Sequence, residues 1–542
     1  MSEAAVRPAA PVLDVAGPAR LVISNAIAML VTCAFPVLVG LFGQFAEKAL
    51  VLGVIDIGHA MFLGIALGFG VALARQVRST NAILLAACAG AIAGIGLVLL
   101  AQLAEAANLR WMLVSMNPAV LRQIGFRLPQ MEAMALLGAA GAAASAVGAL
   151  IVVVPPTLGR AIAGALGGVV FAGLLRELLS NMLNGIGGTD DWAFNYDGLL
   201  PAGAIVAAIL GALACVQPGK ALYQRLPGFV HTAVTLALLL FLLALPALTN
   251  DFVAQVMMMV CLYILMGMGL NIELGLAGLV DLGFVAFFAV GAYTVALFTA
   301  TGGVAIMQLN FFAALPLAIF VSAVSGFVFG LPVLKVRGDY LAIATLGLGE
   351  IIRVLILSDM MKPLLGGAQG IVNVPKPNLF GLILGTPTRL FYLTAFMAAL
   401  AGYVAYRLQH SGLGRRWLAV REDEDVAQAL GINLVQVKLF AYTMGAAFAG
   451  LAGGIFAGMV GSVFPQSFQL LISINVLAIL VVGGIGSLPG VVIGAAALIG
   501  APEVLRDLGE YRYLIYGIVV IAVVRLKPDG LSPAAIRHRE VP

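Results

Sequence analysis

Acidic and amide side chains interrupt a glycine-rich apolar stretch at residues 267–283. Asn271, Glu273 and Asp281 lie in it among repeated glycines, which allow the backbone to unwind. Polar groups in an apolar environment are costly unless they face water or protein, and they mark pathways for solutes or ions. A second glycine-rich break spans residues 482–490. Paired breaks point to a midplane binding site built on half-helix ends, and two interfacial turns are the alternative.

Glu350 and Arg353 form a charged pair within another apolar stretch. Their i, i+3 spacing puts both side chains on one helix face, where they can neutralise each other. We therefore predict that the polar residues of both stretches line a translocation pathway. These candidates are Asn271, Glu273, Asp281, Glu350 and Arg353.

Motifs for catalysis and for metal binding are absent from the sequence. It has no H-E-x-x-H zinc motif and no G-x-S-x-G nucleophile elbow, and its four histidines and four cysteines are scattered without metal or redox spacing. No G-x-x-x-x-G-K-[ST] phosphate loop occurs. We predict that the chain is not an enzyme and that it has no catalytic residue, metal ligand or cofactor of its own. Any nucleotide chemistry must come from another chain.

A polar loop at residues 410–438 is the longest charge-rich interruption of the carboxy-terminal half. Its four acids, Glu422 to Asp425, favour the start of a short helix, because negative charge is stabilised at a helix N-terminus. Gly431 supplies a left-handed stop, and Asn433 can cap the next helix. This compact arrangement predicts a docking surface for a cytoplasmic partner. An ordinary solvated connector is the alternative.

The elements that hold these residues are predicted to be membrane helices. Of the 542 residues, 62% are apolar and 10% are charged, with a mean hydropathy of +1.09, whereas about 25% of a soluble domain is charged. Uncharged runs that are long enough for a span of ~20 residues recur along the chain. We predict an all-α, polytopic transmembrane helical bundle with about 13–15 membrane helices, some of them short or re-entrant.

Small residues and charge clusters organise this predicted bundle. Gly450, Gly454 and Gly458 recur at every fourth position, which lets another helix approach backbone to backbone. Basic residues fall in short clusters such as Arg415–Arg416, which predicts that these loops face the cytoplasm. No basic stripe is interleaved with aromatic residues, so nucleic-acid binding is not expected.

Five stretches, in order along the chain, closely resemble the LivM-type inner-membrane permease of bacterial ATP-binding-cassette (ABC) importers for branched-chain amino acids. The resemblance covers about residues 228–533. The matching stretches are Gly269–Tyr293, Leu334–Arg353, Gly366–Gly381, Gly414–Gly453 and Val481–Ala495.

The resemblance implies a type II-like importer permease in the bacterial cell inner (plasma) membrane. Its partners would be two cytoplasmic ABC ATPases that carry ATP and Mg²⁺, a periplasmic substrate-binding protein, membrane lipid, and either a LivH-type permease or a second copy of this chain. In that family the loop holds a coupling helix that docks in a groove of the ATPase. The docking residues implied here are Arg421, Glu422, Asp423, Ala427 and Gly431.

The resemblance also divides the chain into segments. Asp56 and Gly58 reproduce the spacing of Asp281 and Gly283, so the amino-terminal part could be a degenerate second permease. It has no counterpart of the docking loop, which favours extra peripheral helices. The predicted segments are a cytoplasmic tail 1–20, additional transmembrane helices 21–227, a LivM-type core 228–533 with the coupling loop 410–438, and a cytoplasmic tail 534–542.

Three functions follow from these observations. The leading hypothesis is an ABC importer permease for leucine, isoleucine and valine. The second is a related permease for urea or short amides, because cargo choice rests largely with the binding protein. The third is a secondary transporter driven by an ion gradient, which would use Glu273, Asp281 and Glu350.

Overall fold

A computed structural model gives the structure of most of the chain. It describes residues 18–77, 79–108, 116–185, 190–195, 198–216, 240–302, 306–333, 336, 338–379, 381–506, 509 and 512–534. The chain divides into two compact units, Met1–Ala237 (unit 1) and Leu238–Pro542 (unit 2). The predicted boundary at residue 228 lies outside the described residues and stays a prediction. Of the predicted tails, the structure describes only residues 18–20, which begin the first helix, and residue 534.

Unit 1 consists of helices and one small sheet. The strands are β1 (Ala49–Val51), β2 (Ile55–Asp56), β3 (Phe194–Asn195) and β4 (Gly198–Leu199), in the order β2-β1-β4-β3 with β1 and β4 parallel. The helices are α1 (Pro18–Leu38), α2 (Leu41–Phe45), α3 (Ile57–Val77), α4 (Asn81–Ala106), α5 (Pro118–Ile124), α6 (Gln130–Val153), α7 (Pro156–Leu174), α8 (Arg176–Gly185) and α9 (Pro201–Val216).

Close helix contacts and one buried histidine hold unit 1 together. The backbones of α4 and α6 meet at Gly90 and Gly141, where a Cβ on either residue would overlap the other backbone. His59 is buried, its Nδ1 lies 2.6 Å from Asp56 Oδ2, and its ring stacks on Phe126. The interior polar group is thus paired, as a buried polar group must be.

Unit 2 is a helical bundle with short strand pairs in its loops. The strands are β5 (Ile371–Val372), β6 (Asn378–Leu379), β7 (Leu382–Ile383) and β8 (Ser462–Val463), paired antiparallel as β5-β8 and β6-β7. The helices are α10 (Asp251–Leu270), α11 (Val285–Thr299), α12 (Phe311–Val333), α13 (Asp339–Leu357), α14 (Lys362–Leu365), α15 (Pro387–Gln409), α16 (Gly412–Glu422), α17 (Glu424–Ala429), α18 (Leu434–Val460), α19 (Leu470–Gly483), α20 (Leu488–Ala495), α21 (Ala501–Val504) and α22 (Arg512–Leu526). A π-helix, Asn271–Leu276, continues α10, and another, Ala496–Gly500, joins α20 to α21.

The described helices confirm the polytopic, all-helical prediction. Eleven of them are long and apolar enough to cross a membrane, and three shorter apolar helices, Pro201–Cys215, Val285–Thr299 and Leu488–Glu503, accompany them. Apolar helices of this length satisfy their own backbone hydrogen bonds, which the interior of a bilayer requires. The expected number of about 13–15 membrane helices, with some short ones, agrees with this set.

Small residues set the packing around α18, the longest helix of unit 2. At Gly450 an added Cβ would overlap Ser322 of α12, and the backbone of Gly450 in turn lies against Gly291 of α11. Gly454 faces Leu315 of α12, and Gly458 faces Phe311. Small residues in this spacing therefore let α11 and α12 approach α18 closely.

Several contacts fix which helix ends lie together in unit 2. The amide of Gln409, at the end of α15, donates to Gly486 O at 3.4 Å, between α19 and α20. Trp417 of α16 donates from Nε1 to Val437 O of α18 at 2.9 Å. We call this end the loop end, because the loop 410–438 lies there, and the opposite end the far end. The far end holds the starts of α10, α15, α19 and α22 and the end of α18.

Candidate functional site

The loop 410–438 is built from two short helices with defined caps. Asp423 caps α17, because its Oδ1 accepts hydrogen bonds from the backbone N–H groups of Asp425 at 2.9 Å and Val426 at 3.0 Å. Gly431 has a φ of +85°, which is the left-handed stop expected there. Asn433 caps α18 by accepting from Gln436 N at 3.1 Å. The predicted short helix, stop and new helix are confirmed.

Buried side chains anchor this loop to the bundle. Trp417 is fully buried and is hydrogen-bonded to α18. Ala427 is buried as well, so this predicted docking residue packs against the chain itself. Lys438, at the start of α18, forms an ion pair with Glu424 at 2.5 Å. Movement of the loop must therefore move the start of α18 with it.

The outer face of the loop combines acids with apolar side chains. Glu422, Asp423 and Gly431 are exposed. Val426 and Leu430 are 54% and 76% exposed, and they lie four residues apart, on one face. Exposed apolar side chains rimmed by polar ones mark interaction surfaces. This face offers a compact surface with a net negative charge.

Arg421 joins the loop to both glycine-rich breaks. Its Nη1 donates to Gly275 O at 2.5 Å, and its side chain lies beside Gly278. Asn271, at the start of the π-helix, accepts from Gly486 N at 2.8 Å through Oδ1, so the second break touches the first. The two breaks and the docking loop therefore meet at the loop end. This position favours the interfacial-turn alternative over a site halfway through the bundle.

Three of the five predicted pathway residues are enclosed at this junction. Asn271, Glu273 and Asp281 are at most 1% exposed. Asp281 Oδ1 accepts from Gly283 N at 2.7 Å, and the Glu273 carboxyl group lies beside Asp281 without a well-formed hydrogen bond to any described residue. The carboxyl group of Glu273 fills the space that Gly445 of α18 leaves open. These side chains pack inside the protein and line no open channel in this conformation.

The remaining two pathway candidates lie on the surface of unit 2. Arg353 donates to Glu350 Oε2 from Nε at 2.9 Å, with Nη2 2.8 Å away, so the predicted neutralising pair is confirmed. The side chain of Arg353 is 32% exposed and that of Glu350 is 39% exposed, and both lie in the second half of α13. Charged side chains within membrane helices almost always face protein or water and pair with each other, as these two do. The five candidates thus separate into a buried group and a surface pair.

A cavity at the far end of unit 2 was missed by sequence reasoning. It has a volume of about 870 Å³, and its charged lining residues are Lys376, Glu503 and Arg506. Glu503 and Arg506 lie close together in the sequence, but Lys376 is distant from both, and the three belong to no recognisable motif. Only folding brings Lys376 to the other two, so no local signal could have found the cavity.

Comparison with known proteins agrees with the helical architecture of unit 2. Residues 252–524, all within unit 2, match the family model described as "Branched-chain amino acid transport system / permease component". The chain belongs to this family. It is therefore a transport permease and a multi-pass membrane protein rather than an enzyme.

Individual relatives extend this finding. A protein of Salmonella typhimurium, "High-affinity branched-chain amino acid transport system permease protein LivM", is 40% identical over 321 residues, which are 55% of this chain and 74% of that protein. A probable LivM of Methanocaldococcus jannaschii is 24% identical over 52% of this chain and 94% of its own length. The LivH permease of Escherichia coli is 28% identical over 32% of this chain and 55% of its own length. No solved structure matches the chain.

Proposed function

We propose that this chain is the transmembrane permease subunit of an ABC importer for leucine, isoleucine and valine in a bacterial inner membrane. The family match and the LivM relatives support the class of protein and its cargo. The observation that bears most on the mechanism is the exposed loop surface, which Arg421 connects to the broken segment. A rigid external surface joined to a break in a membrane helix is suited to receive force from a partner.

In this proposal two cytoplasmic ATPases bind ATP and Mg²⁺ and hold the outer face of α16 and α17. The permease supplies no catalytic group. ATP-driven closure of the ATPases pulls the loop, and Trp417 and Lys438 pass that displacement to the start of α18. Arg421 passes it to Gly275 and so to the segment that holds Glu273. The bundle then switches between inward-facing and outward-facing states, and hydrolysis resets it.

Two further partners complete the proposed assembly. A LivH-type permease, or a second copy of this chain, would cover the part of α13 that carries the half-exposed Glu350–Arg353 pair, because charged side chains in membrane helices almost always face protein or water. A periplasmic substrate-binding protein would deliver the cargo to the far end. Unit 1 lies outside the family match, and we assign it the role of additional peripheral helices.

Uptake and assembly together test this proposal. Proteoliposomes that contain the permeases and ATPases, with the binding protein supplied at the far end, should accumulate leucine only when ATP is present at the loop end. The double variant Glu422→Ala, Gly431→Trp should lose the ATPases on purification. The control variant Arg407→Gln changes an exposed residue that lies near the loop but outside it, and this variant should keep the ATPases on purification.

Two outcomes would contradict the proposal. Leucine accumulation by this chain alone, driven by an ion gradient, would support the secondary transporter that uses Glu273, Asp281 and Glu350. Uptake of urea or short amides with no uptake of leucine would keep the ABC permease class and replace the cargo.

A further inference from the structure

The far-end cavity lies entirely within unit 2. It is lined by α10, α15, the end of α18, α19, the π-helix Ala496–Gly500, α21, α22 and the loop that contains Lys376. Along α10 the lining residues extend from Phe252 to Tyr263. At 1.5 Å per residue the cavity therefore reaches about 16 Å into the bundle from the far end. Its volume of about 870 Å³ lies within the usual range for small-molecule sites.

Side chains of both charges stand at the mouth of the cavity. Lys376 donates from Nζ to Met459 O at 2.5 Å, near the end of α18. Glu503 forms an ion pair with Arg512, Oε2 to Nη1, at 3.1 Å. The guanidinium of Arg506 lies over the ring of Phe252, 4.5 Å from its centre. The mouth thus presents two cations and one carboxylate to the interior.

The walls are apolar, but the inner end is polar. The apolar lining includes Val256, Met258, Met259, Leu390, Leu471 and Leu498. At the inner end, Tyr516 donates from its hydroxyl to Asn475 Oδ1 at 3.4 Å, beside Tyr263. A site with a predominantly apolar lining and a few placed polar groups is typical of small-molecule recognition.

We propose that this cavity binds the zwitterion of an aliphatic α-amino acid. The inference rests on the proposed function and assigns that function a site within this one subunit. The ligand carboxylate would face Lys376 and Arg506, its ammonium group would face Glu503, and its side chain would lie along the methionines and leucines. A zwitterion matches a mouth that has both signs of charge, because its carboxylate and its ammonium group can each lie beside side chains of the opposite sign, in addition to the Glu503–Arg512 ion pair.

The polar inner end argues against a lipid as the occupant. An acyl chain that enters from the mouth would cover Asn475 and the two tyrosine hydroxyls with hydrocarbon, and burial of polar groups against hydrocarbon is costly. A small, hydrated ligand leaves room for water at these groups. The cavity is also larger than a single leucine needs, which suits a ligand that arrives with water.

Direct binding tests the inference without the binding protein. The purified complex of permeases and ATPases is equilibrated with radiolabelled leucine, and competition is measured with 4-methylpentanoate, which lacks the ammonium group, and with leucinol, which lacks the carboxylate. Lys376→Gln and Glu503→Gln are each expected to weaken leucine binding about tenfold, as the loss of one charged hydrogen bond would. Lys376→Arg should restore binding. Lys362→Gln removes an exposed charge outside the cavity and should bind as the wild type does.

The analogues provide a readout that a general loss of structure would not produce. Lys376→Gln should reduce the preference for leucine over leucinol, and Glu503→Gln should reduce the preference for leucine over 4-methylpentanoate. Equal binding by all variants, in a complex that transports leucine, would overturn the inference and leave the proposed function standing. Absence of leucine transport by the wild-type complex would instead refute the proposed function. Phospholipid that co-purifies in the cavity and is not displaced by leucine would also overturn the inference.

Discussion

The hydrogen bond from Arg421 to Gly275 is a direct link between the docking loop and the broken membrane segment. The substitution Arg421→Gln removes the charge of the donor. A hydrogen bond from a charged donor contributes about 1.5–3 kcal/mol. Because 1.4 kcal/mol is a factor of ten, the docked arrangement of α16 on that segment should weaken about 10- to 150-fold. The Arg421 guanidinium is directed at Gly275, and the exposed docking residues Glu422, Asp423 and Gly431 are unchanged, so the ATPases should still bind. Hydrolysis should continue while transport falls.

Proteoliposomes that contain the assembled importer allow leucine uptake and ATP hydrolysis to be measured in the same sample. We expect the uptake per ATP hydrolysed to fall about tenfold or more in Arg421→Gln, as the lost hydrogen bond implies. Arg421→Lys should show a smaller fall, since it keeps a cation with a different geometry. Arg407→Gln should match the wild type. An Arg421→Gln importer with the wild-type ratio would refute the idea that force passes through this contact.

Three further predictions concern packing, burial and pH. Gly450→Ala forces a Cβ against Ser322 and should lower the melting temperature in detergent, because overpacking costs about 1–3 kcal/mol of folding free energy. The control is Gly347→Ala, whose added Cβ meets open space on α13. Equal melting temperatures for the two variants would contradict close packing at Gly450. Glu273→Gln should melt at the wild-type temperature or above it, since the amide keeps the shape of the side chain without a buried ionisable group. A large fall in the melting temperature would instead show that the carboxylate is stabilised by its neighbours. Burial lowers the pKa of Lys376 from its ordinary value of 10.5, so the cation is lost at a lower pH than usual. Leucine binding should therefore weaken as the pH rises through that lowered value, and Lys376→Arg, which stays charged, should keep only the decline that is caused by deprotonation of the leucine ammonium group.

Local chemistry along the chain was enough to predict much of this architecture. Long uncharged runs predict membrane helices, because each apolar helix satisfies its own backbone groups. The cap at Asn433, the stop at Gly431 and the acids at the start of α17 involve residues at most a few positions apart. The Glu350–Arg353 pair is likewise local. Such features are set by sequence spacing, so they could be recognised before the fold was known.

Contacts between distant residues required the tertiary structure. Arg421 meets Gly275 across 146 positions, and Asn271 meets Gly486 across 215, so the sequence could propose two breaks but not that they join the docking loop. Burial of Ala427 and enclosure of Glu273 depend on which helix packs beside them. The cavity with Lys376 and Glu503 likewise exists only between packed helices. Local spacing determines which helices form and where they end, whereas packing between helices decides which polar groups become neighbours.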